Sequence, residues 1–152
     1  MNVKVAIIGL GIMGRRMLDH MNRHPDFAPV AIWDPDQAAC RAAHQLCPDA
    51  DITASADAAM AIADLVYLAC PPVPRHDLTL AAAAAGKAVF LEKPLGVDVD
   101  ASRNMIAVLQ DAGVPAAVNF TQAAGAALAD ISMAAQTGAP GDIVGVDMVV
   151  TY

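Results

Sequence analysis

The sequence predicts an α/β fold built on a doubly wound parallel sheet, and three observations carry that prediction. Strand-like and helix-like segments alternate six times before Phe120. Apolar residues make up 57% of the chain but aromatics only 4%, so the core must be assembled from Ala, Val, Ile, Leu and Met, which lets helices lie close on a sheet. The run at 65–69 is apolar on both faces, as a strand buried within a parallel sheet must be.

Taken in order, residues 3–8 form a short β-branched run that stops at Gly9, and Ile12, Met13, Met17, Leu18 and Met21 then recur at helical spacing. A second strand is expected at 30–33, after the breaker Pro29, and an Ala-rich helix at 37–46, ending before Cys47-Pro48. A weak strand around Ile52 precedes a brief helix for which Ser55 is the natural cap. The strand at 65–69 ends at Cys70-Pro71-Pro72, and a helix is expected at 78–85 with Gly86 as its stop. A strand at 89–91, a helix at 100–112 closed by Gly113 and Pro115, and a strand at 116–119 complete the series. Connections of this kind put a binding crevice beyond the carboxyl ends of the strands.

Beyond Asn119 the pattern changes to an expected helix at 122–136, a turn at 137–141 and an alternating strand at 142–151 that sets Val144, Val146, Met148 and Val150 on one face. Such a strand needs neighbours that the sequence does not supply. The expected organisation is therefore a dinucleotide-binding domain over 1–120 and, over 121–152, the truncated start of an α+β domain for substrate or oligomerisation. At 152 residues a second complete domain would leave both too small for a proper core. The unpaired segment should expose apolar surface, so a homo-oligomer formed through it is expected.

The net charge of −7, without a cluster of Lys or Arg, disfavours nucleic acid and anionic membranes as partners. No apolar run reaches membrane-spanning length, and the start is too short and weakly flanked for a signal peptide. Cys40, Cys47 and Cys70 are odd in number and lack C-x-x-C spacing, which points to a reduced, cytoplasmic protein without a metal site.

The sharpest local signal is Gly9-Leu10-Gly11-Ile12-Met13-Gly14, lying between a strand and a helix, with Asp34 ending the next strand twenty residues after Gly14. Gly9 allows the tight turn, Gly11 lets a pyrophosphate approach the backbone and Gly14 lets helix and strand pack, while free N–H groups at the helix start face the phosphates. The sequence thus predicts a Rossmann-type domain whose turn, with the N–H groups of Ile12 and Met13, holds a dinucleotide. Asp34 can accept bonds from the adenosine ribose hydroxyls and would repel the 2'-phosphate of NADP, so NAD is the expected cofactor, although Arg41 could soften the preference. The simpler alternative, that Asp34 only opens the turn Asp34-Pro35-Asp36, stays open.

The glycine pattern also resembles the opening of β-hydroxyacid dehydrogenases, but the Asp-x-Pro-Val-Ser-Gly-Gly segment expected of those enzymes has no counterpart here. Cys70-Pro71-Pro72 at the fourth strand end and Gly86-Lys87-Ala88-Val89 running into Glu92-Lys93-Pro94 resemble the glucose-fructose oxidoreductase and inositol dehydrogenase family. Gly138-Ala139-Pro140-Gly141-Asp142-Ile143-Val144-Gly145 is similar to that family's passage into its second domain. The resemblance implies oxidation or reduction of a carbinol carbon of a sugar or polyol, with hydride moving to the nicotinamide. It makes Lys93 the catalytic candidate, an ammonium that orients the reacting hydroxyl and stabilises developing alkoxide charge, and that could shuttle the proton if its pKa were lowered. It also implies a cis Lys93–Pro94 peptide, backbone at Cys70, Pro71 and Pro72 beneath the cofactor, Glu92 against the cofactor or the lysine, and Asn119 beside the nicotinamide. Cys70 departs from the family's usual Thr. His76, one position later than the family's histidine because of Val73-Pro74-Arg75, is a candidate for the substrate side.

Members of that family take a histidine, often with an aspartate four residues before it, from the second domain, and no histidine follows Asn119. The expectation is a chain that binds NAD and turns over slowly or not at all. A noncatalytic dinucleotide-binding module or sensor subunit is the alternative, against which the Glu92-Lys93-Pro94 turn argues.

Overall fold

The computed structural model describes residues 2–121, 125–139, 141–142, 144–145 and 147. Two compact units are present, Met1–Asn119 and Phe120–Tyr152, and the sheet lies wholly in the first. Strands β1 (Val3–Ile8), β2 (Phe27–Trp33), β3 (Asp51–Ile52), β4 (Leu65–Leu68), β5 (Ala88–Leu91) and β6 (Ala116–Val118) run in the order β3-β2-β1-β4-β5-β6. Every pairing is parallel. Helices α1 (Ile12–Arg23), α2 (Gln37–Leu46), α3 (Ala56–Ala61), α4 (Pro72–Ala84) and α5 (Val99–Ala112) connect them. The chain winds outward from β1 to β3 and, after crossing over, outward again from β4 to β6. The segments leaving β1 and β4 therefore diverge, and a crevice opens at their carboxyl ends.

The period of two along a strand divides the core into two layers. Val5 and Ile7 pack with Leu18 and Met21 of α1 and Cys40 and Ala43 of α2. Ala6 and Ile8 face the opposite way, toward Ala59, Met60, Ala82, Ala83, Met105 and Leu109 of α3, α4 and α5. Alanine at so many helix positions is what brings those helices close to the sheet.

Helix ends follow the chemistry of their residues. Asp36, Ser55 and Asp98 each accept a bond from a backbone N–H in the first turn of α2, α3 and α5. Gly86 and Gly113, at φ +67° and +64°, take the left-handed turn that follows α4 and α5.

Two boundaries differ from expectation. Strand β2 begins at Phe27 and runs through Pro29, because the ladder with β1 slips there: Val5 faces Pro29, but Ala6 faces Ala31. One residue is left unmatched, which is how a strand accommodates a proline that cannot donate. Helix α4 begins at Pro72, six residues before the expected start, since prolines in a first turn give up only N–H groups that have no helical partner.

In the second unit, α6 spans Ala126–Gln136, within the helix expected at 122–136. Most of the strand expected at 142–151 lies outside the described residues, and the described ones there form no strand. Among the described residues, no helix is long and apolar enough to cross a membrane.

Candidate functional site

At the carboxyl ends of β1, β2, β4 and β5 lies a cleft of about 760 Å³, lined by Gly9, Gly11, Met13, Trp33, Asp34, Cys70, Pro71, Pro72, Arg75, Glu92 and Lys93 among others. Its size and its few convergent polar groups in an otherwise apolar wall suit a small-molecule or cofactor site. An apolar hollow of about 420 Å³ also touches the amino ends of the strands, and apart from His20 and His24 it offers no comparable polar set.

The wall between β1 and β2 is made largely of backbone. Gly9 stands at φ +91°, and a Cβ there would collide with the backbone nitrogen of Cys70. A Cβ on Gly14 would collide with the carbonyl oxygen of Gly9. Both glycines are thus required by the fold. Gly11 is different: its φ of −65° suits any residue and a Cβ there would meet nothing within 4 Å. The Asp34 carboxylate accepts from Leu10 N at 2.7 Å through Oδ2 and from Asp36 N at 2.8 Å through Oδ1, so it braces the glycine turn with one lone pair on each oxygen to spare. Helix α1 has no side-chain cap, unlike α2, α3 and α5, and no acid in its first turn. Its first N–H groups are left for an anion. Met13 lines the cleft, whereas Ile12 is largely solvent-exposed and Gly14 packs beneath the turn.

The wall between β4 and β5 is made of side chains. Glu92 is buried, and its Oε1 accepts from Tyr67 Oη at 2.5 Å and from Asn119 Nδ2 at 2.6 Å, while Oε2 lies 3.3 Å from the Lys93 amide. Burial, then the facing carboxylate, pushes the Tyr67 phenol far above its ordinary range. Arg75 is also buried. It donates to the carbonyl of Cys70 through Nη2 at 2.6 Å and Nε at 3.2 Å, and through Nη1 to the carbonyls of Glu92 and Pro94. The Lys93–Pro94 peptide is cis, and Lys93 itself is exposed at the cleft wall. Burial also raises the Cys70 thiol, outweighing the nearby Arg75 charge, so it is a poor nucleophile.

The structure therefore brings Gly9, Gly11, Met13, Asp34, Cys70, Pro71, Pro72, Glu92 and Lys93 to one cleft, with Asn119 behind it on Glu92. His76 lies apart, in a smaller cavity with Leu95 and Ser102, its Nδ1 2.9 Å from Asp77 Oδ1. Sequence reasoning missed Tyr67 and Arg75. Tyr67 read as one more member of an apolar strand. Arg75 did leave a signal, a long cation one position before His76 and just past a proline-rich strand end.

The profile of an oxidoreductase family with an NAD-binding Rossmann fold matches residues 3–120. The chain belongs to the Gfo/Idh/MocA oxidoreductase family. It is 32% identical to inositol 2-dehydrogenase of Corynebacterium glutamicum (strain R) over 117 residues, 75% of this chain and 35% of that protein. It is 30% identical to inositol 2-dehydrogenase of Rhizobium meliloti (strain 1021) over 122 residues, covering 80% and 37%. The chain thus spans little more than a third of the length of these Gfo/Idh/MocA relatives. Among solved structures, scyllo-inositol dehydrogenase from Lactobacillus casei, with bound NAD(H) and scyllo-inositol, superposes with a TM-score of 0.87 at 21% identity, over 93% of this chain and 43% of that one. Myo-inositol 2-dehydrogenase from Lactobacillus plantarum gives 0.86 at 23% identity, over 95% and 44%. At those identities the likeness is one of fold.

Proposed function

We propose that this chain is the NAD-binding portion of a dehydrogenase that moves hydride between a carbinol carbon of an inositol or related polyol and nicotinamide. Gly11 carries the reading. Nothing among the described residues requires glycine there, since a side chain would enter open space beside uncapped N–H groups; a pyrophosphate lying against the backbone does. The residues fit the cofactor. The turn Gly9–Gly14 and the start of α1 hold the diphosphate, and the spare lone pairs of Asp34 take the adenosine ribose hydroxyls. Cys70, Pro71 and Pro72 form one flank of the nicotinamide end, and Lys93 forms the other. Asp34, already fixed by two backbone donors, would repel a 2'-phosphate, which favours NAD over NADP. Bound NAD supplies the hydride acceptor. Lys93 Nζ orients the substrate hydroxyl and stabilises the alkoxide charge that develops as hydride leaves, while Glu92, tied by Tyr67 and Asn119, steadies the strand end that carries the lysine.

The remaining parts of the proposal are a dinucleotide-binding domain over 1–120, a substrate or oligomerisation segment over 121–152 through which copies associate, and His76 on the substrate side. Calorimetry tests the central claim: NADH binds this chain, NADPH binds at least about tenfold more weakly, and Lys93→Ala leaves NADH binding intact. Absence of heat with both reduced cofactors refutes it. A noncatalytic module predicts the same binding but no loss of polyol oxidation from Lys93→Ala when the chain is joined to a substrate-binding domain.

A further inference from the structure

We propose that Arg75 is the positioning residue of the nicotinamide end, a fork that fixes the gap between the Cys70-Pro71-Pro72 turn and the Glu92-Lys93-Pro94 turn. The inference rests on the dinucleotide reading of the cleft. These two turns leave neighbouring strands, and beyond the last ladder bond, Glu92 N to Leu68 O at 3.2 Å, the backbones no longer pair. Arg75 takes over at that point. Its guanidinium is buried and satisfied by carbonyl oxygens alone, those of Cys70, Glu92 and Pro94. No carboxylate pairs with it among the described residues. Among those residues, no other side chain hydrogen-bonds both turns.

Burying an unpaired cation is costly unless its donors are fully used, so this geometry selects for a planar fork that reaches several acceptors at once. A lysine ammonium is a point donor and cannot span the same carbonyls. The root of the fork is itself held, because the Arg75 carbonyl accepts from Thr79 Oγ1 at 2.7 Å, one turn further along α4. Arg75 therefore works through the backbone on either side of Lys93 and needs no contact with the cofactor.

The test uses two ligands that share one half. ADP-ribose occupies the glycine turn and Asp34 but has no nicotinamide, whereas NADH fills both ends. Trp33, the chain's one tryptophan, lines the cleft and reports binding of either ligand by its emission. In Arg75→Lys, ADP-ribose affinity stays within about twofold of the parent while NADH affinity falls about tenfold, and Arg75→Met falls further. Emission of bound NADH should also lose its enhancement, since the nicotinamide is no longer held. In the unsubstituted chain, nitrogen-15 NMR of the Arg75 side chain should shift with NADH and stay still with ADP-ribose, a readout independent of how the variants fold. Equal effects on both ligands, or none on either, overturn the role of Arg75 while leaving the cofactor site intact. If the unsubstituted chain binds neither ligand, the dinucleotide reading itself falls.

Discussion

The two walls of the cleft solve the same problem by opposite means. Between β1 and β2 the surface is bare backbone, with glycines, an uncapped helix and one carboxylate whose lone pairs are half used. Between β4 and β5 it is a buried network of Tyr67, Glu92, Asn119 and Arg75 in which, among the described residues, no fully buried polar side-chain atom lacks a partner. An incomplete surface invites a ligand to finish it. A completed network holds position and gives the ligand only what protrudes, here Lys93.

This contrast can be broken most severely at Gly14, where alanine drives a methyl group into the Gly9 carbonyl. Backbone cannot yield as a flexible side chain does, so Gly14→Ala should lose at least about 3 kcal/mol of stability in urea titration. On the opposite wall, Glu92→Ala leaves the Tyr67 hydroxyl and the Asn119 amide buried without an acceptor, a cost of about 2–3 kcal/mol by the same measurement. Tyr67→Phe should cost less near neutrality and change the alkaline behaviour. Because the folded phenol holds its proton above its ordinary range, its contribution to stability is complete below about pH 10 and is lost as pH rises beyond, when the unfolded chain ionises first. Thermal melts above about pH 10 should therefore fall more steeply for the unsubstituted chain than for Tyr67→Phe. The smallest effect on the fold belongs to Gly11→Ala, within about 0.5 kcal/mol, yet NADH binding should weaken at least about tenfold. A large stability loss at Gly11, or undisturbed binding, would erase the distinction between the walls.

How far the sequence could be read follows the same division. Glycine spacing and the acid at the second strand tip are local signals, because a turn, a helix start and a strand end lie within one stretch of chain. Alternating periods of two and 3.6 yielded all six strands of the first unit, with the larger boundary errors where proline sits in unusual places, inside β2 and in the first turn of α4; the described residues of the strand expected at 142–151 form none. The β4–β5 network was illegible because its partners are 17 to 27 residues apart. No spacing announces that a strand tyrosine and a strand-end asparagine will meet on one carboxylate. The family resemblance pointed to Glu92 and Lys93 by their motif; by setting its histidine one position before His76 it marked the place of Arg75, but not what an arginine does there.

One unmatched residue in β2 decides more than a local kink. Since side chains change sides at every step along a strand, the slip at Pro29–Val30 sets which way everything downstream points. With it, Ile32 lies beside Ile7 in the layer under α1 and α2, and the strand delivers Asp34 to the amide of Leu10. Removing Val30 would even out the ladder and rotate the tip by one position. A proline near one edge of the sheet thereby governs, from the far end of its strand, whether the acid meets the glycine turn at all.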